Sequence, residues 1–357
     1  MYDITTAGLL FNAAGVPCSM FRRLCSEFSP EDAGSHSLWE ELGMTSSQKQ
    51  RLTSLLAKDS WAEQELERTE SFGASFITIK DITYPALLLD LDKPPVGLYV
   101  KGTVNISLPS VSVVGTRRPS SYGQNTATQL GRALARAGIT VTSGGASGVD
   151  SAGHRGALAE DGFTVAVFGT GIDVIYPSSN RDLFSRIAER GAIVSEYPFG
   201  TTGEGWRFVE RNRIIAALSG RTVVVESSET GGAMHTARMC VRLGRELWAV
   251  PGRISEETCG GTNRLIAEGA KILVSVEEFV ASVAGHREQL SLGLGEPPEL
   301  SEDAQAVYSL LQRQGGRTAD EIVRETGQDF VSVNSALMEL EAEALITNAG
   351  GRYSALA

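Results

Sequence analysis

Along residues 1–72 apolar side chains recur every three or four positions, first in TTAGLLFNAAGVPCSMFRRLCSEF and again in SSQKQRLTSLLAKDSWAEQELERTESFG. That period belongs to one face of a helix and predicts a helical region. FITI (76–79), the turn YPALLLDLDKPP (84–95) and GLYVKG (97–102) then lead into a second pattern. From 110 onward the chain repeats strand, turn, helix, with strands predicted at SVSVVG (110–115), ITVTSG (139–144), TVAVFG (164–169), AIVSEY (192–197), TVVVES (222–227), LWAV (247–250) and KILVS (271–275). Near-continuous Val/Ile runs between helical segments predict an α/β region with a mostly parallel sheet covered by helices on both faces. HREQLSLGLGEPPE (286–299) reads as a linker. Three further helical patterns follow, then ITNAGGRYSAL, two short strands split by Gly-Gly, which together predict a winged helix. The expected divisions are 1–75, helical; 76–285, α/β; 286–299, linker; and 300–357, winged helix.

Charge narrows where a polyanion can sit. The chain of 357 residues carries net −11. Residues 1–100 are net −6 and residues 299–357 net −6, while residues 101–283 carry 19 Lys/Arg against 17 Asp/Glu, and 17 of those 19 are Arg. Only the middle region suits phosphate, and the planar Arg fork fits it well. The third helical pattern of the winged helix has Asp329, Glu339, Glu341 and Glu343 and no basic residue, so the module reads as a protein-contact or regulatory domain. The element GVP (15–17) resembles a DNA-gripping hairpin turn, but Pro17 stands where a second Gly is needed and its flank is acidic, so it reads as a structural cap.

Ligands on a parallel sheet bind outside the carboxyl ends of its strands, and the Gly-rich turns fall there. In GTRRPSSYG (115–123), Gly115 admits close backbone approach, and Arg117 and Arg118 supply bidentate charge beside a helix start. In TSGGASGVD (142–150), Gly144, Gly145 and Gly148 form a tight turn; Asp150 and His154 hold its shape, and Arg155 projects towards the same edge. Tyr176 stands at a loop tip where it can stack on a base. Arg207, Arg211 and Arg213 crowd a helix start, where cations oppose the helix dipole, which points to an anionic partner. Thr262 and Asn263 are hydrogen-bonding candidates in a last glycine turn.

Other chemistries fit poorly. Asp150 and His154 are spaced i,i+4, but the chain has only four His (36, 154, 235, 286) and no second cluster, so no metal site is expected. A Ser143, Asp150, His154 triad lacks a GxSxG elbow. FGTGIDVIYP (168–177) lacks the third Gly of a dinucleotide fingerprint, so no NAD or FAD is expected. There is no apolar run of about 18 residues to span a membrane and no basic-then-apolar leader. The four Cys (18, 25, 240, 259) show no paired spacing and read as reduced thiols of a cytoplasmic protein.

Taken in order, VVGTRRPSSYG, SGGASGVDSAGHRGAL, AVFGTGIDVIYPSSNRDL, IVSEYPFGT, ERNRIIAALSG, VVVES…TGGAMHTA, AVPGRI and GGTNRLIAEGAK resemble the DNA-processing protein A family, DprA or Smf, across about 110–275. The resemblance implies a Rossmann-like sheet, preceded by a small SAM or helix-hairpin-helix type domain and followed by a winged helix. It implies a homodimer without enzymatic activity or cofactor, which binds incoming single-stranded DNA and brings RecA recombinase to it during natural transformation. Carried over by motif, Gly115, Thr116 and Arg117 form the phosphate element with Arg117 central, and the Gly144 to Gly148 turn, Tyr176 and Asn212-Arg213 line the same pocket. The expected single-strand contacts are therefore Gly115, Thr116, Arg117, Arg118, Ser143, Gly144, Gly148, Arg155, Tyr176, Arg181, Asn212, Arg213, Thr262 and Asn263, with Asp150 and His154 shaping the loop. Three places depart from the family pattern: SGGASGVD for SGLAxGID, GGAMHTA for SGSLITA, and Glu210 where basic residues are common. The rival reading is a related Rossmann-like enzyme cleaving nucleotide N-glycosides, or a nucleotide sensor. TGGAMHTARM is the nearest string to the enzyme's PGGxGTxxE and lacks its second GT and its Glu.

Overall fold

A computed structural model describes residues 2–58, 60–104, 108–292, 301–314, 317–342, 345–349 and 352–355. By contact the chain divides into two units, Met1–Ala284 and Gly285–Ala357.

The first unit is built on a nine-stranded sheet: β1 (Ser75–Thr78), β2 (Gly97–Gly102), β3 (Ser110–Val114), β4 (Thr140–Ser143), β5 (Thr164–Phe168), β6 (Ala192–Ser195), β7 (Arg221–Val224), β8 (Glu246–Ala249) and β9 (Lys271–Ile272). Their order is β1-β2-β6-β5-β4-β3-β7-β8-β9. β3 to β9 run parallel. β1 and β2 form an antiparallel hairpin that extends the β6 edge, with Phe76 opposite Tyr99, so the entry stretch of the 76–285 division contributes two strands to its sheet. The chain winds from β3 out to β6, then returns to place β7 on the other side of β3. That reversal is the switch point at which two neighbouring loops part and leave a crevice.

Alternate residues of the central strands face opposite sides, and both sides are covered. Val111, Val113, Val141 and Val223 pack against Ala127, Leu130 and Leu134 of the helix Ser121–Arg136 and Val149 and Ala152 of the helix Val149–Leu158. Val114, Val165, Val167 and Val224 pack against Ile214 and Ile215 of the helix Gly205–Ala217 and Ala237 of the helix Ala233–Arg242. Each such β-branched residue trades water for packed neighbours on a face of the sheet, which is the main force holding the layers together.

The N-terminal helices Ile4–Ala14, Cys18–Glu27, His36–Glu41, Ser46–Leu56 and Trp61–Ser71 enclose their own core around Phe11, Phe21, Leu24, Trp39 and Leu52. They also seat on the sheet. Leu9 packs with Phe76 and Tyr99, and buried Glu65 accepts from Tyr99 Oη at 3.0 Å and from the Phe199 amide at 2.8 Å. Asn12 Nδ2 donates to the Glu196 carbonyl at 2.7 Å. In the GVP element, Gly15 closes the first helix in the left-handed conformation and Pro17 precedes the second, so the turn does a capping job.

In the second unit the helices Glu302–Gln314, Ala319–Thr326 and Phe330–Ala342 pack around Val307, Leu311, Ile322, Val333, Leu337 and Leu340. A three-stranded sheet, β10 (Arg317–Thr318), β11 (Ile346–Ala349) and β12 (Arg352–Ala355), in the order β10-β12-β11, supplies the wing. The helix Val276–Leu292 runs into the stretch expected to be a linker, because GHREQLSL has no Pro to stop it and the first one comes only at Pro297. Residues 293–299 of that linker, Glu343 and the Gly350-Gly351 turn lie outside the described residues.

Candidate nucleic-acid interface

At the switch point lies a cleft of about 630 Å³. Its walls are the loop after β3 (Gly115, Thr116, Arg117, Arg118), residues after β4 (Ala146, Asp150), Tyr176 after β5, the start of the helix Gly205–Ala217 (Phe208, Arg211, Asn212) and the loop after β7 (Ser227, Ser228, Gly231, Gly232). A smaller recess of about 250 Å³ adjoins it, lined by Arg117, Arg118, Gly144, Ser147, Tyr176, Pro177, Phe208 and Arg211.

Two glycines let these loops meet. Gly148 has φ +87°, and a Cβ there would stand 2.4 Å from the Thr116 carbonyl oxygen and 2.7 Å from the Arg117 carbonyl carbon. Only a glycine tolerates both the dihedral and the crossing. Gly144 faces the Arg211 guanidinium, and a Cβ would come within 2.8 Å of three of its atoms. Asp150 fixes the turn between them, accepting from the Gly144 amide at 3.2 Å and the Ala146 amide at 3.3 Å. Burial pushes its carboxyl up from the ordinary range, opposed by Arg211 and the loop amides.

The chemistry of the cleft is cationic and aromatic. Arg117 and Arg118 are exposed and form no ion pair among the described residues. Tyr176 and Phe208 contact ring to ring, and the Arg117 guanidinium lies 5.8 Å from the Phe208 centroid. Beneath them Arg211 is buried, its Nη1 donating to the Gly144 carbonyl at 2.7 Å and to the Val167 carbonyl. Among the described residues its Nε has no hydrogen-bond partner. Burial brings the Arg211 pKa down to about 10, so the group stays charged at neutral pH with no carboxylate in hydrogen-bond contact. A buried, incompletely paired cation under exposed guanidinium groups and ring faces is complementary to a phosphodiester strand with unstacked bases.

Of the residues expected from sequence, the structure brings Gly115, Thr116, Arg117, Arg118, Gly144, Asp150, Tyr176 and Asn212 to these two cavities, with Gly148 at their crossing. Others do not line these two cavities. Ser143 Oγ donates to the Val113 carbonyl at 2.6 Å inside the sheet. His154 bonds Thr164 Oγ1 at 2.6 Å in the core. Arg155 reaches Asn180, and Arg181 is exposed at the start of its own helix. Thr262 donates to the Cys259 carbonyl, and Asn263 pairs with both backbone groups of Gly252. Arg213 grips Glu196 through two contacts of 2.6 Å on the far side of its helix. Arg213 lies two positions beyond Arg211, about 200° around an α-helix, so only one of them can face the cleft. Phe208 was not among the expected contacts. Its signal was its place three residues before Arg211, which puts both on one helical face.

Among the described residues no group of three or more His, Cys, Asp or Glu could hold a metal, and no helix is long and apolar enough to cross a membrane.

Comparison with known proteins identifies the family and the fold. The family model of DNA recombination-mediator protein A matches residues 75–284, and that of the DprA winged helix domain matches residues 295–352. Protein Smf of Synechocystis is 33% identical over 81% of this chain and 82% of its own length. The X-ray structure of DNA processing protein A from Streptococcus pneumoniae superposes with a TM-score of 0.68 at 28% identity, covering 79% of this chain and 98% of that one. That of Helicobacter pylori, described for its single-stranded DNA binding mode, gives 0.55 at 30% identity over 59% of this chain and 96% of its own. With a Rossmann-like parallel sheet, a winged helix and these matches, the chain belongs to the DNA recombination-mediator protein A family, DprA or Smf.

Proposed function

We propose that this protein binds single-stranded DNA in the switch-point cleft and acts as a mediator. In this reading it shields incoming DNA in the cytoplasm and loads RecA recombinase onto it during natural transformation, working as a homodimer and catalysing no reaction itself. The observation that carries the reading is the stack of Arg117, Phe208 and Tyr176 above buried Arg211. Arg117 is the central phosphate contact, Arg118 a second, and the two rings take bases without regard to sequence. The single-stranded DNA binding described for the Helicobacter pylori protein supports it. So does the make-up of the lining, in which Asp150 is the only carboxylate among the described residues and its Oδ2 accepts from two loop amides.

The test is a fluorescence titration of the full chain with oligo-dT and with a matched duplex at two salt concentrations. Preference for the single strand, weakening as salt rises, is the expected result. Failure to bind either nucleic acid overturns the reading.

A further inference from the structure

The GTRRPSS loop divides the carboxyl edge of the sheet, and on its β8 side lies a separate recess of about 660 Å³ whose lining includes Tyr122, Glu226, Pro251, Arg253 and Glu256. We propose that this recess holds a further nucleobase of the same strand, stacked on Tyr122. The proposal rests on the single-strand reading of the neighbouring cleft.

Tyr122 is the second residue of the helix Ser121–Arg136, and it is 53% exposed. Its hydroxyl lies 3.5 Å from the Pro251 carbonyl, beyond the length of a firm O–H···O bond. A large ring left half in water above a cavity, without an anchoring hydrogen bond, offers an open π-face. The volume lies within the range of small-ligand sites and accommodates a nucleoside.

Charge decides which part of a nucleotide enters. The lining carries two carboxylates, Glu226 and Glu256, against one guanidinium, Arg253, so a phosphate is repelled and a neutral base is not. Glu226 is buried, and its oxygens accept from the Ser120 amide at 2.9 Å and from Ser120 Oγ, which turns the charge towards the loop. The phosphates remain outside. Arg118 on the cleft side and Arg253 on the recess side are both exposed and in no ion pair among the described residues. Arg118 stands on the loop and Arg253 across the recess from it, so a strand passing from the cleft to the recess meets a cation on each side, with bases dropping to either side.

The experiment uses the full chain and its Tyr122→Ala and Tyr122→Phe variants. Each is titrated with oligo-dT of increasing length and cross-linked to a longer oligonucleotide bearing 5-iododeoxyuridine. Tyr122→Ala is expected to match wild type for an oligomer of about four nucleotides, the low end of single-strand site sizes, and to bind longer ones roughly tenfold more weakly. Tyr122→Phe keeps the ring and should behave as wild type, and a cross-linked peptide should contain Tyr122. Equal affinities for wild type and Tyr122→Ala at every length, with cross-links only at Tyr176 or Phe208, overturn the recess while leaving the cleft in place. No binding by wild type at any length overturns both.

Discussion

Tyr176 and Phe208 meet ring to ring, with centroids 5.0 Å apart and planes inclined by 35°. They come from different elements: Tyr176 follows β5, and Phe208 lies in the helix Gly205–Ala217. Tyr176 remains 48% exposed while Phe208 is half-buried against it and against Arg117 and Arg211. Phe208 is thus the fixed partner that orients the outer ring. Phe208→Ala is expected to lower single-strand affinity about tenfold, since a base–aromatic stack is worth roughly 1–3 kcal/mol. Phe208→Trp should retain most of it. Fluorescence anisotropy with labelled oligo-dT distinguishes the two, and equal losses in both variants would remove the stacking role.

Arg117 supplies charge without supporting the fold. Its side chain is exposed and in no ion pair among the described residues. Arg117→Ala should therefore melt like wild type yet bind single strands at least about tenfold more weakly, with the slope of log affinity against log salt reduced by about one. Affinity and slope both unchanged would mean that the phosphate lies elsewhere.

Much of this was legible in the chain, for a reason that differs between elements. Strands such as SVSVV and TVAVF are buried on both faces, so every position is apolar or small, and the run announces itself. The glycine turns were equally plain, because positive φ and backbone crossing leave few residue choices. Side-chain direction was not. Arg211 and Arg213 have the same chemistry two residues apart, and only the helix's docking decides that one underlies the cleft while the other neutralises Glu196. Thr262 and Asn263 looked like ligand contacts because their groups are polar, but the Cys259 carbonyl and the backbone of Gly252 engage them. Likewise, β1 and β2 gave no sign of joining the main sheet, since an antiparallel edge is set by distant pairing with β6.

The crossing at Gly148 ties stability to binding. With φ +87° and the Thr116 carbonyl oxygen 2.4 Å from where an alanine methyl would stand, Gly148→Ala forces either the turn or the Arg117 loop to move. Strain of this kind costs roughly 1–3 kcal/mol. The variant is expected to melt at lower temperature and to bind single strands more weakly, both together. A drop in melting temperature with full affinity would show that the Arg117 loop keeps its position without this contact.

His154 makes the fold sensitive to mild acid. It is fully buried, and Thr164 Oγ1 donates to the Val141 carbonyl at 2.8 Å, so that oxygen accepts the imidazole Nδ1–H at 2.6 Å. The other ring nitrogen, Nε2, has no hydrogen-bond partner among the described residues, which leaves a neutral ring. Burial, reinforced by Arg211, pulls the pKa from 6.5 down to about 3. The unfolded chain takes up a proton near pH 6.5 while the folded chain refuses it until about pH 3. The stability His154 contributes is therefore present above about 6.5 and lost as pH falls through that window, by about 2 kcal/mol between about pH 7 and pH 5. His154→Leu removes the titrating group along with the Thr164 bond. It should be less stable than wild type at about pH 7, and the gap should narrow at about pH 5 in urea denaturation. A gap of equal size at both pH values would show that the imidazole already titrates freely in the native state.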